Sequence, residues 1–193
     1  MEIFSFDQTV DNLPKNLTHL TFGYYFNQPV DDLPLSLTHL IFGYQFNQKV
    51  INILDNLTHL TFGYSFNQSI DNLPENLTHL TLGYSFNQSA NNLPKNLTLL
   101  NIKSTFIKSI DIPKNTKKLL LPYNSILLNN LPEHIEKIHI RFSDLLKGKK
   151  ININNLPTSL KEIIIKHKIY EKYIRIPFGA VLTIGKKNIL YEY

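Results

Sequence analysis

The chain has 193 residues, 42% of them apolar, which suffices for one domain with a continuous core. It has no cysteine, so a disulfide framework and a thiolate metal site are excluded, and no stretch of about 18 apolar residues predicts a membrane span. The net charge of +5 is unevenly spread: residues 1–100 carry three lysines against eight acids, residues 101–193 carry 17 Lys or Arg against seven.

The first ten residues hold Glu2 and Asp7 and do not read as a secretory leader, so an intracellular, cytoplasmic protein is expected. Residues 1–12 are expected to form a cap, with Phe6-Asp7-Gln8 as a partial coil. From Leu13 a repeat takes over, and a fixed period is the first thing to settle because it decides the fold. Leu17-Thr18-His19-Leu20 recurs as Leu37-Thr38-His39-Leu40, Leu57-Thr58-His59-Leu60 and Leu77-Thr78-His79-Leu80, at a spacing of 20 residues. Each is followed by Phe22-Gly23-Tyr24, Phe42-Gly43-Tyr44, Phe62-Gly63-Tyr64 or Leu82-Gly83-Tyr84. Then come Phe26-Asn27-Gln28 and its copies at Phe46, Phe66 and Phe86. Leu-Pro pairs at Leu13, Leu33, Leu73 and Leu93 punctuate the coils, and the third coil has Ile53-Leu54 instead.

Regular coils are assigned to residues 13–111. Degenerate coils follow over 112–169, starting at Ile112-Pro113, Leu131-Pro132 and Leu156-Pro157, with the widest interval before the last of them. This makes eight coil starts. Beyond about Ile165 no register is recognised, and residues 170–193 are expected to close the stack as a strand-rich cap, since an end coil otherwise exposes its core.

Within a coil, Leu20 and Phe22 alternate with His19 and Thr21, the period-two pattern of a short strand with one buried face. So short a coil leaves no room for a long return helix, and the Leu-Pro step suits an extended return by fixing φ and withholding a donor. The fold class expected is therefore a repeat solenoid, mostly β with little helix, whose short strands stack into a parallel sheet about 4.8 Å apart. Phe26, Phe46, Phe66 and Phe86 are expected to form an internal aromatic column. The Asn after each Phe is expected to pair buried backbone groups of its own and adjacent coils, which are costly if left unpaired. Asn124, in Thr116-x-x-Leu119-x-Leu121-x-x-Asn124-x-Ile126, is read as a further member of that set.

The run Leu-Pro-x-Asn-Leu-Thr-His-Leu-Thr-Phe-Gly-Tyr-x-Phe-Asn-Gln resembles the FNIP repeats of social amoebae and of giant viruses that infect amoebae. The resemblance is specific over residues 6–100 and weak over 101–165. It implies a leucine-rich-repeat-like solenoid, a non-catalytic role, and a place in the host cytoplasm if the chain is viral. The family repeat is usually slightly longer than the one in this chain, and such compaction is associated with the viral versions. Many family members carry an F-box that recruits a ubiquitin ligase, for which the segment before Leu13 is too short.

Two outward positions per strand predict two columns across the sheet. The first reads His19, His39, His59, His79, Leu99, Lys118, Lys137, Glu162; the second reads Thr21, Ile41, Thr61, Thr81, Asn101, Leu120, His139, Ile164. Solenoid sheets offer such surfaces to partners. The candidate partner-binding residues are His19, His39, His59, His79, Thr21, Ile41, Thr61 and Thr81, with Tyr44 and Tyr64 adding aromatic area. The histidine column has two other readings: a by-product of coil duplication, or a pH-sensitive stack. A zinc site would need about four converging ligands, which a linear ladder does not supply. The alternative surface is the basic second half, with Lys117, Lys118, Lys149 and Lys150 facing nucleic acid or an acidic surface.

No phosphate-binding glycine loop, His-Glu-x-x-His helix, nucleophile elbow or cysteine nucleophile occurs. The Asn-x-Thr triplets at Asn16, Asn56, Asn76 and Asn96 fall on repeat positions with packing or turn reasons of their own. The sequence thus predicts a protein-interaction module without catalysis, cofactor or metal, whose partner is a protein; the other reading besides the basic half is a structural or decoy repeat without a fixed ligand.

Overall fold

The computed structural model describes residues 7–10, 12–50, 54–142 and 153–185. Its strands, in chain order, are β1 (His19–Thr21), β2 (His39–Ile41), β3 (His59–Thr61), β4 (His79–Leu82), β5 (Ser89–Ala90), β6 (Leu99–Ile102), β7 (Ser109–Ile110), β8 (Lys118–Pro122), β9 (Lys137–Arg141), β10 (Glu162–Ile165) and β11 (Val181–Ile184). Nine of them form one all-parallel sheet in the order β1-β2-β3-β4-β6-β8-β9-β10-β11, and β5 pairs with β7 in a small second sheet. The return segments are extended or turn, with two 3-10 helices at Ile126–Asn129 and Lys168–Tyr173.

Every coil enters its strand through the same turn. The residue at the proline position accepts a bond from the amide three residues on, as in Leu17 N to Pro14 O (3.0 Å) and Leu37 N to Pro34 O (3.1 Å). Leu54 does the same for Leu57 N at 3.0 Å, so proline presets this turn without being required for it. The turn recurs at Pro177, which accepts from Ala180 N at 3.1 Å, and there it launches β11. β11 pairs with β10 in register, Glu162 opposite Val181 and Ile163 opposite Leu182. The expected loss of register after Ile165 is therefore corrected, since a ninth rung continues the sheet beyond β10.

Three internal systems hold the stack at fixed spacing. Phe26, Phe46, Phe66 and Phe86 form the expected column, fully buried, with centroids 6.2, 6.2 and 6.3 Å apart. A second ring row, Phe22, Phe42 and Phe62, stacks against it at 3.9, 3.8 and 3.7 Å within each coil. Beside them the asparagines form a ladder. The amides of Asn47, Asn67 and Asn87 each donate to the Oδ1 of the asparagine one coil earlier, at 2.8, 2.8 and 2.9 Å. Asp7 starts the ladder by accepting from Asn27 N at 2.8 Å, so the partial coil at Phe6-Asp7-Gln8 contributes its acid as a surrogate asparagine. Gln48 and Gln68 donate to the carbonyls of Asn27 and Asn47 at 2.8 and 3.0 Å, satisfying the remaining backbone acceptor.

The ladder stops after the fourth coil, at Asn87. Phe106, one period after Phe86, is turned outward at 78% exposure while Ile107 is buried. Asn124 is exposed, contrary to the sequence expectation; the buried Ser125 next to it accepts from Leu127 N and caps the first 3-10 helix. The coil here ends in a helical turn, so its backbone amides are satisfied locally and an asparagine rung has nothing to pair.

A second polar ladder runs along the turns. Nδ2 of Asn56, Asn76, Asn96 and Asn115 donates to the carbonyls of Leu35, Asp55, Glu75 and Lys95 at 2.8–2.9 Å. These bonds are the packing reason that three of the Asn-x-Thr triplets recur.

Candidate interaction face

The register aligns both predicted columns rung by rung. His19, His39, His59 and His79 face one another across β1 to β4, followed by Leu99, Lys118, Lys137 and Glu162. Thr21, Ile41, Thr61 and Thr81 form the neighbouring column. Alternate strand residues, Leu40, Leu60 and Leu80, are buried below.

The four imidazoles are a continuous stack, with centroids 4.1 Å apart at each step and planes within 12–13°. Their orientation is set by the preceding threonine. Nδ1 of each histidine lies 2.9 Å from the Oγ1 of Thr18, Thr38, Thr58 or Thr78. In the last three coils that hydroxyl also contacts the carbonyl of the threonine one coil back at 3.1 Å. A carbonyl can only accept, so the hydroxyl proton goes there, and the histidine Nδ1–H must donate to Oγ1. This accounting assigns the Nδ1–H tautomer to His39, His59 and His79 and leaves the lone pair on Nε2, at the outer rim of each ring.

Desolvation, with the charges of His59 and His19 on either side, holds His39 below the usual histidine range. The tyrosines make a parallel row: Tyr24, Tyr44 and Tyr64 stack at 4.6 Å per step and Tyr84 follows at 5.3 Å, all exposed. Desolvation and the neighbouring Tyr24 and Tyr64 push the Tyr44 phenol up.

The second half of the face is cationic. Of the basic residues named from sequence, Lys118 stands in the first column, next to Lys137. Lys117 points the other way, 3.9 Å from Glu136 and donating to the His134 carbonyl at 3.3 Å. Lys149 and Lys150 lie outside the described residues. Sequence reasoning missed Lys103 and Arg141, which the fold brings onto this face from well-separated parts of the chain. His139 is held down at about 4, first by desolvation and then by Arg141, Lys118 and Lys137.

The sign of that shift makes a prediction. A histidine with a lowered folded pKa stays neutral while the unfolded chain protonates, so stability is present above about pH 6.5 and is lost as pH falls toward 4. After discounting for solvent screening, His139→Gln should recover about 1–2 kcal/mol of the loss between pH 7 and 4.5. Urea denaturation at the two pH values measures this; identical pH slopes for variant and wild type would refute it.

The FNIP Repeat family model matches residues 6–44, 29–65 and 66–105. The chain belongs to the FNIP repeat family. FNIP and leucine-rich repeats are generally non-catalytic scaffolds, and the leucine-rich-repeat-like fold commonly mediates protein interactions. Among solved structures the FNIP chain is similar to CroV588 of the giant virus CroV, described as a novel circular leucine-rich-repeat protein. The two are 30% identical with a TM-score of 0.58, over 93% of this chain and 35% of CroV588, so the chain spans about a third of that protein's length. A leucine-rich repeat protein from Bacteroides ovatus is 14% identical over 90% of this chain and 53% of its own, with a TM-score of 0.43. Among curated proteins none matches.

Proposed function

We propose that this FNIP chain is a non-catalytic protein–protein interaction module whose partner docks on the outward sheet face, centred on His39, His59 and His79 with Ile41, Thr61 and Tyr64 beside them. The observation that carries this reading is the threonine-held imidazole stack. A freely rotating surface histidine loses rotamer entropy when a partner seats on it. Here that freedom is already gone, so the row is preorganised for contact. The stacked tyrosines extend the same preorganised surface with aromatic area, the residue type that dominates interface energetics.

The test is capture from native lysate by wild type beside a triple variant, His39→Asp, His59→Asp, His79→Asp, after circular dichroism shows both folded. A protein held by wild type and lost by the folded variant is the expected result. Equal capture by both would remove the histidine row from the interface. Capture that instead collapses with salt would move the contact to the cationic half of the sheet.

A further inference from the structure

One column of the outward face changes character along the sheet. In the regular coils the position two after the threonine column is glycine, at Gly23, Gly43, Gly63 and Gly83. Continuing the register of β4, β6, β8 and β9, the same position is Lys103, then Pro122, then Arg141. The FNIP pattern is thus replaced at one place by two cations separated by a flat proline. Arg141 reaches back over Pro122 of β8, the one strand between, where its guanidinium donates to Asn101 Oδ1 and to the Ile102 carbonyl of β6. Asn101 is itself aimed by its Nδ2, which donates to Thr81 Oγ1 at 3.3 Å. The arginine is therefore positioned, not merely present.

The charge of this cluster is unbalanced. Lys103 and Arg141 are both partly withdrawn from water, and each lies within the other's field. The ion pairs among the described residues are Lys117–Glu136, Lys161–Glu136 and Lys137–Glu162, and none includes Lys103 or Arg141. Glu162, the acid on this face, is drawn to Lys137 at 2.5 Å and accepts from Thr183 at 2.9 Å. The groups given to Arg141 are neutral oxygens, which satisfy hydrogen bonds but not charge. Desolvating two like charges side by side is unfavourable unless a counter-charge joins them.

We propose that Arg141 and Lys103 form an oxyanion-binding site on the sheet face, taking the two-oxygen edge of a carboxylate or phosphate group. Two of the five guanidinium donors are used by Asn101 and Ile102, so the others remain for the ligand, in the planar fork that fits such an edge. The Lys103 ammonium supplies a second charge, and Tyr84, within electrostatic reach of Arg141, borders the site. Pro122 lies between them, buried beneath the Arg141 side chain that crosses it. The site is separate from the histidine row and stands whether or not a partner docks there.

The chain has two arginines, Arg141 and Arg175, so nuclear magnetic resonance of their Nε–H groups carries its own control. Inorganic phosphate and succinate would be titrated separately into the full chain at constant ionic strength, with chloride as the balancing salt. The expected result is a saturable shift of the Arg141 signal with a static Arg175 signal. Lys103→Gln should weaken the saturating anion about tenfold, the worth of one charge-assisted bond, whereas Lys161→Gln, on a side chain 74% exposed, should change nothing. Saturation by phosphate alone identifies a phosphate site, and by succinate alone a carboxylate site. No saturation by either, equal movement of both arginines, or an unchanged midpoint in Lys103→Gln would overturn the proposal.

Discussion

Replacing Gly63 by alanine is expected to cost at least about 3 kcal/mol and to break the stack between its second and third coils. A Cβ at this position would stand 1.8 Å from the Gly43 carbonyl oxygen and 2.5 Å from its carbon, with the Phe42 oxygen at 3.1 Å. All three are backbone atoms, so no side chain can swing aside. Separating the coils is resisted from both directions. The Ser65 amide donates to Tyr44 O at 2.9 Å and the Phe62 amide to Thr81 O at 2.9 Å, pinning the third coil to both neighbours. In a solenoid each coil leans only on the next, so one forced gap uncouples the array on either side. Gly179 is the matched control. An added Cβ there meets nothing within 4 Å, but its φ of 85° favours glycine, so alanine should cost only about 1 kcal/mol. Urea denaturation of both variants measures this; a Gly63→Ala chain as stable as Gly179→Ala would sink the argument.

The regular coils were legible because identical residues recur at an identical spacing, which lets period-two alternation name the outward columns as well as the strands. His19 to His79 and Thr21 to Thr81 landed opposite one another because a parallel register follows directly from a constant repeat. What was not legible depends on contacts that no spacing announces. Arg141 meets Asn101 and Ile102 across the one intervening strand, β8, 40 and 39 residues back. Lys103 and Arg141 share a column with the glycines, two residues beyond the second predicted column, but the spacing gives no sign that their side chains converge. The register of β11, within the expected strand-rich cap, was missed for another reason. Ile176-Pro177 repeats the entry turn, but one residue is lost between it and the strand, and Val181 stands where the regular coils have histidine. Asn124 shows the opposite failure. It matches the leucine-rich spacing, yet the 3-10 turn that begins beside it removes the backbone groups an asparagine rung would serve. The threonine-to-histidine bonds needed only the pair Thr-His read as a unit, since Leu37 and Leu40 on either side are buried and the two polar residues between them both face outward at the strand entrance.

Phe66→Ala is expected to cost about 4–5 kcal/mol, at the upper end of the range for aromatic truncation in a core. The ring is fully buried, 3.7 Å from Phe62 by centroid and 6.2 and 6.3 Å from Phe46 and Phe86. Losses at the upper end arise where the surroundings cannot close on the cavity. Here the next residue, Asn67, is a ladder rung, bonded through its amide to Asn47 and through Oδ1 to the amide of Asn87. The Phe62 ring on the other side stacks on Phe42 at 5.6 Å. Coil spacing is therefore fixed by hydrogen bonds independent of the missing ring, and collapse would break them. The cavity stays open, and its lining loses dispersion contacts in three successive coils. Phe178→Ala, at a fully exposed position, removes the same side chain and should change stability by less than about 0.5 kcal/mol. If the Phe66 variant lost only about 1–2 kcal/mol by urea denaturation, the coils would have closed. The polar ladder would then be following the aromatic column rather than setting its spacing.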